Sequence, residues 1–158
     1  MAFPQRKNPR LARYDYSQNG VYFVTACTKD RANLLSAVGR DDLGAPYVEL
    51  SSIGKITEKY TDSISTHYQN VSVEKYVIMP NHVHMIIALN DGAPGSSRPT
   101  ISQIISAWKR YINQESKRSL WQSSFYDEII RNDDHFLNVW QYIDSNPAAW
   151  TEDEYFSE

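Results

Sequence analysis

The sequence predicts an α+β sandwich of the ferredoxin-like, split βαβ kind: a mainly antiparallel sheet with helices over one face. Three observations carry that expectation. Strand-like and helix-like stretches alternate along the chain instead of separating into blocks. At 158 residues the chain is one domain of ordinary size, able to bury a core without disulfides or structural metal. An apolar run, Tyr76-Val77-Ile78-Met79, is followed after only Pro80-Asn81 by a second, His82-Val83-His84-Met85-Ile86-Ile87, as in a hairpin.

The elements follow in order. Residues 1–19 have no clear period and read as a basic arm leading into a strand over 20–28. Residues 29–45 are charged and glycine-containing and read as a connection, before a brief strand at Tyr47-Val48-Glu49-Leu50. Ser51 or Ser52 caps a helix in which Ile53, Ile56, Tyr60 and Ile64 keep a helical period, ending near His67. A strand over 71–79 alternates and then becomes continuously apolar, which suits passage from a sheet's rim to its centre. Proline lacks the N–H that a central strand needs, so Pro80-Asn81 makes a tight turn and the histidine run returns beside the strand it left.

The Gly, Pro and Ser content of residues 90–99 marks a flexible loop. Thr100 or Ser102 then caps a helix that turns Ile101, Ile104, Ile105, Trp108 and Ile112 inward. Leu120-Trp121-Gln122 and Phe125 to Ile130 read as a short final strand or extended segment. A last helix opens at Asn132, with Asp133 and Asp134 at its positive end, and runs through Phe136, Val139, Trp140 and Ile143 until Pro147 stops it. Residues 148–158 read as an acidic tail.

Composition bounds the function. The single Cys27 cannot form an internal disulfide and sits in an apolar strand, so a reducing cytoplasm is the expected home. No apolar run of membrane-spanning length and no secretory pattern occurs, and a membrane role is not expected. The net charge of −3 argues weakly against a polyanion partner. Its distribution softens that objection: Arg6, Lys7, Arg10 and Arg13 crowd the start and Lys109, Arg110, Lys117 and Arg118 lie along a helix, while Glu152, Asp153, Glu154 and Glu158 load the tail with acid. This reading gives the tail no part in the chemistry. Each basic cluster also reads as a solvated helix face or terminus.

The chemical signal is His82-Val83-His84. Strand side chains alternate faces, so the two imidazoles project from one side of the sheet and Val83 enters the other layer. A metal pair competes here with exposed edge-strand polar residues, a structural zinc site and a hydrogen-bonded core pair. His67 and His135 are poorly placed to close a His/Cys zinc site with Cys27. On the last helix Tyr142 and Asn146, four residues apart, share a face. Asn146 offers a neutral oxygen to a divalent ion, and Tyr142 a phenol that needs a nearby cation or base to act as a nucleophile. The same two residues also read as packing beside Trp140 or Ile143 and as a helix cap before Pro147.

Several strings together carry a resemblance: Tyr22-Phe23-Val24-Thr25, the run from Tyr76 to His84 with its Met-Pro-Asn-His-x-His, Ala107-Trp108-Lys109, Leu120-Trp121-Gln122, Phe125 to Arg131, and Tyr142-Ile143-Asp144-Ser145-Asn146-Pro147. In this order, over about residues 10–150, the chain resembles the single-tyrosine HUH transposases, specifically the REP-associated tyrosine transposase branch.

The resemblance implies a metal-dependent transferase of single-stranded or hairpin DNA. His82 and His84 would hold the ion, Asn146 would be a third ligand, and Tyr142 would attack the scissile phosphate to leave a 5′-phosphotyrosine and a free 3′-hydroxyl. The ion would be Mg or Mn, with two imidazoles favouring Mn. Arg6, Lys7, Arg10, Lys109, Arg110 and Arg131 are the candidate DNA contacts. The related enzymes include homodimers that exchange the tyrosine helix as well as chains that complete the site alone. A non-catalytic module that binds hairpins without cutting is the competing class, and a two-histidine phosphoesterase is a third.

Overall fold

The computed structural model describes residues 20–90 and 99–157. The basic arm over 1–19, with Arg6, Lys7 and Arg10, lies outside the described residues, as does most of the expected loop over 90–99. The first strand, β1 (Gly20–Cys27), leads through a short 3-10 turn to a hairpin of β2 (Ser36–Arg40) and β3 (Pro46–Leu50). Then come α1 (Ser52–His67), β4 (Val71–Ile78), β5 (His82–Leu89), α2 (Ile101–Ser116), β6 (Tyr126–Ile130), α3 (Asp133–Ser145) and a 3-10 turn at Trp150–Glu152.

The main sheet runs β4-β5-β1-β6, antiparallel at every pairing. Setting the β2-β3 hairpin aside, the order is that of the expected split βαβ sandwich. The hairpin is where the expected connection over 29–45 differs from the structure. Its tight turn forms because Asp41 accepts through Oδ1 from the backbone N–H groups of Leu43 and Ala45 at 2.9 Å each, and Gly44 takes a φ of 85° that an L side chain resists.

Strand alternation then divides the layers. Tyr22, Val24 and Ala26 of β1 and Val83, Met85 and Ile87 of β5 face Ile64 of α1 and Ile101, Ile104, Ile105, Trp108 and Ile112 of α2 in the larger core. Phe23 and Ile86 face the opposite way, where Val139 and Ile143 of α3 meet them. Thus α1 and α2 cover one face as expected, and α3 takes the other. Helix starts follow local chemistry: Ser51 accepts from Gly54 N, Thr100 and Gln103 form a reciprocal capping box, and Asn132 accepts from His135 N. Among the described residues no helix is long and apolar enough to cross a membrane.

Candidate active site

The site lies on the α3 face of the sheet, at the end of β5 next to the Pro80-Asn81 turn. Register sets Thr25 opposite His84 and Cys27 opposite His82. The two imidazoles are 4.5 Å apart between centroids, edge to face, and are 0% and 1% exposed. Each is held at Nδ1: His82 by Asn81 Oδ1 at 2.8 Å, His84 by Thr25 Oγ1 at 2.7 Å. The Nε2 atoms of both rings and Oδ1 of Asn146 are buried without a hydrogen-bond partner. Burying three such atoms unmade is costly, so a shared ligand is the economical reason for the arrangement.

Asn146 closes α3 and donates through Nδ2 to the Tyr142 carbonyl at 3.0 Å, which leaves its oxygen available to a ligand. Its carboxamide lies close enough to favour an imidazolium at His82, although without the alignment of a hydrogen bond. Tyr142 packs edge-on against His84 at 5.3 Å and against Phe23 at 6.1 Å. One chain therefore brings Tyr142, Asn146, His82 and His84 together.

The electrostatics suit a cation. Burial holds the His82 imidazole down at about 3, with the Arg31 charge adding to that, and burial then the neighbouring His82 keep His84 well below its ordinary range. Both rings are neutral lone-pair donors near pH 7. Burial, then the Asp153 charge and also Glu154, push the Tyr142 phenol up to about 12, against a lowering by Asn146. A divalent ion held by these residues would oppose that rise, since positive charge favours phenolate.

The tail corrects one expectation. Far from standing apart, it folds back over the histidines. Asp153 places a carboxylate oxygen in a group with His82 and His84 whose ligand atoms all lie within 4.8 Å of one another. Tyr155 lies 4.5 Å from His82 between ring centroids, Trp150 lies 6.0 Å from it, and Trp150 itself is buried. Arg31 and Asn33 bind the tail through Glu154 and Ser157 carbonyls at 2.9 and 2.8 Å. Trp150, Tyr155 and Phe156 in so short an acidic stretch are the signal that could have marked it as packed rather than solvated. Two imidazoles, a carboxamide oxygen and a carboxylate fit a divalent ion that accepts mixed N and O donors, such as Mn, and also admit Mg.

The expected DNA contacts separate. Lys109 is half-buried and donates to the carbonyls of Gln122 and Ser124 at 2.8 and 2.9 Å, and burial lowers its ammonium to about 8. It anchors the loop before β6. Arg110 is exposed over the Tyr111 ring at 5.3 Å, and Arg131 is exposed before α3.

An uncharacterized protein of Haemophilus influenzae is 25% identical over 172 residues, covering 96% of this chain and 93% of its own length. A solved structure described as a REP-associated tyrosine transposase bound to a REP hairpin superposes with a TM-score of 0.67 at 19% identity, covering 89% of this chain and 74% of that one, and shares the fold. The family model for IS200-like transposases matches residues 17–146, so the chain belongs to the IS200-like transposase family.

Proposed function

We propose that the chain cuts and rejoins single-stranded DNA at hairpin-forming repeats, holding the cut end as a 5′-phosphotyrosine on Tyr142. The observation that carries this reading is the meeting of the Tyr142 ring with His84, beside a histidine pair whose Nε2 atoms have no partner. Hairpin DNA as the substrate draws on the solved relative, which is described as bound to a REP hairpin. A cytoplasmic location accords with such a substrate.

In this reading His82, His84, Asn146 and Asp153 hold the ion. A bound Mn or Mg supplies Lewis acidity to a phosphoryl oxygen and screens its charge. Tyr142 Oη forms the new bond to phosphorus as the P–O3′ bond breaks. The phenol gives up its proton, and the departing O3′ takes one to become a free hydroxyl. The bond energy stays in the adduct, so a second 3′-hydroxyl reverses the step and reseals without a nucleotide cofactor. Phe23 and His84 hold the phenol ring, and Asn146 fixes the end of its helix through the Tyr142 carbonyl. Arg110 and Arg131, with Arg6, Lys7 and Arg10 of the arm, are the candidate phosphate contacts. The assembly of these groups within one chain supports a site that works without a partner subunit.

The test is adduct formation. Purified chain, Mn or Mg and a hairpin oligonucleotide carrying a single-stranded flank should give a covalent protein–DNA species that survives denaturing gels. Adduct persisting in Tyr142→Phe overturns the assignment. Complete burial of both imidazoles under the tail favours the binding-only module as the second reading. Hairpin binding with no adduct in either metal, including after the tail is shortened, would establish it.

A further inference from the structure

Asn81, at the turn between β4 and β5, is fully buried. Its backbone carbonyl accepts from the N–H and hydroxyl of Thr28 at 2.9 and 3.2 Å, which fixes the residue on its neighbouring strand. Its carboxamide is divided between two tasks. Nδ2 donates to the carbonyls of Tyr155 and Arg31 at 2.6 and 3.3 Å. Oδ1 lies 2.8 Å from Nδ1 of His82.

The orientation of that amide is determined by chemistry. Carbonyls only accept, so turning the group over would set its oxygen against two other oxygens. With Oδ1 facing the ring, His82 must carry its proton at Nδ1 and keep its lone pair at Nε2, the atom aimed at the ligand cluster. The tail end of the same amide is just as consequential. Tyr155, whose carbonyl Asn81 holds, also donates its N–H to Asp153 Oδ1 at 2.9 Å. Asn81 therefore touches His82 from the sheet and, through the one residue Tyr155, reaches the Asp153 carboxylate of the tail.

We infer that Asn81 is a positioning residue that couples docking of the C-terminal tail to the tautomer and aim of His82, presenting His82 and Asp153 to the ion as one unit. The inference rests on the metal reading above. Thr25 performs the tautomer task for His84 from within the sheet. Asn81 differs in reaching the tail as well.

The experiment uses the full chain and Mn2+ as the probe, with free Mn2+ followed by electron paramagnetic resonance, and a glutamate-specific protease to report on cleavage at Glu152 and Glu154. N81A loses both tasks and should bind Mn2+ about 10–100-fold more weakly, with its tail cut faster. N81D keeps an acceptor for His82 but cannot donate to the Tyr155 carbonyl. It should bind Mn2+ with an affinity between wild type and N81A, and its tail should be cut as readily as that of N81A. A folded N81A with wild-type Mn2+ affinity overturns the inference. Should N81A not fold, N81D decides: a tail protected as in wild type overturns the coupling. An affinity for N81D no better than that of a folded N81A overturns the tautomer role. Failure of the wild-type chain to bind Mn2+ at all instead overturns the metal reading beneath it.

Discussion

The ring of Tyr142 on α3 meets the imidazole of His84 on β5 at 5.3 Å between centroids, with 63° between their planes. The contact is ring against ring and does not involve the phenolic hydroxyl. Tyr142→Phe should therefore keep the packing against Phe23 and His84, stay folded and take up Mn2+ equally, yet form no DNA adduct. Thermal unfolding, Mn2+ titration and denaturing gels on one preparation check all three. Loss of Mn2+ binding in this variant would mean that the phenol is a ligand rather than the nucleophile.

Asp153 is the one carboxylate in the ligand group. Asp153→Asn should weaken Mn2+ binding at least about tenfold, because the negative charge of the donor set governs affinity for a hard or borderline cation. The same change should let the Tyr142 phenol titrate at lower pH in the metal-free chain, since the Asp153 charge is among the causes that raise it. Spectrophotometric tyrosine titration of Asp153→Asn and of wild type, each subtracted from its own Tyr142→Phe counterpart to isolate one of the eleven tyrosines, reads this. An unchanged affinity would leave Asn146 and the histidines as the whole donor set.

How much of this was legible in the sequence follows from what each residue's role depends on. His82 and His84 share a face by strand alternation alone, and α3 begins and ends at Asn132 and Asn146 by capping chemistry, so both could be read from local pattern. β2 was not: Ser36-Ala37-Val38-Gly39-Arg40 is short, weakly apolar and stabilised by pairing with β3, which is a tertiary event. Lys109 looked like a phosphate contact because its helix is basic there, yet its placement depends on the loop of Gln122 and Ser124 that comes later in the chain. Asp153 and Tyr155 are held at the site in part by Arg31, Asn33 and Asn81, which bind the tail backbone. Backbone partners carry no sequence signature.

The tail that covers the histidines sets their chemical accessibility. In the intact chain diethylpyrocarbonate should modify exposed His67 well before His82 or His84. A shortened chain ending at Glu152, which lacks Asp153 and Tyr155, should expose both buried rings and raise their labelling rates at least about tenfold, in line with the lower stability of locally opening segments. Peptide mass spectrometry assigns the sites. Equal labelling of His82 with and without residues 153–158 would show that the cover is already open in solution.

Gly54 makes the approach of α1 to the preceding chain possible. A methyl group built there would overlap the backbone carbonyl oxygen of Leu35, which also accepts from Ser51 N and Oγ at 3.0 and 2.9 Å. Backbone cannot move aside as a flexible side chain can. Gly54→Ala should cost about 2 kcal/mol or more despite alanine's better helix propensity, measured by urea unfolding. A neutral or stabilising result would require the start of α1 to sit away from Leu35.

Acid should destabilise the metal-free chain through its buried imidazoles. Burial is the leading cause that holds His82 at about 3, well below the ordinary 6.5, and His84 is lowered in the same direction. Below pH 6.5 the unfolded chain binds protons at these rings while the folded chain does not. Their contribution to stability is thus complete above pH 6.5 and is lost as pH falls toward the folded value. For His82 alone the loss at pH 5 is about 2 kcal/mol, and His84 adds to it. Urea unfolding at pH 7.5, 6 and 5 in the presence of a chelator gives the slope, and His82→Gln, which removes one of the titrating rings, should make it shallower. A slope unchanged by His82→Gln would mean that water already reaches the His82 ring in the folded chain.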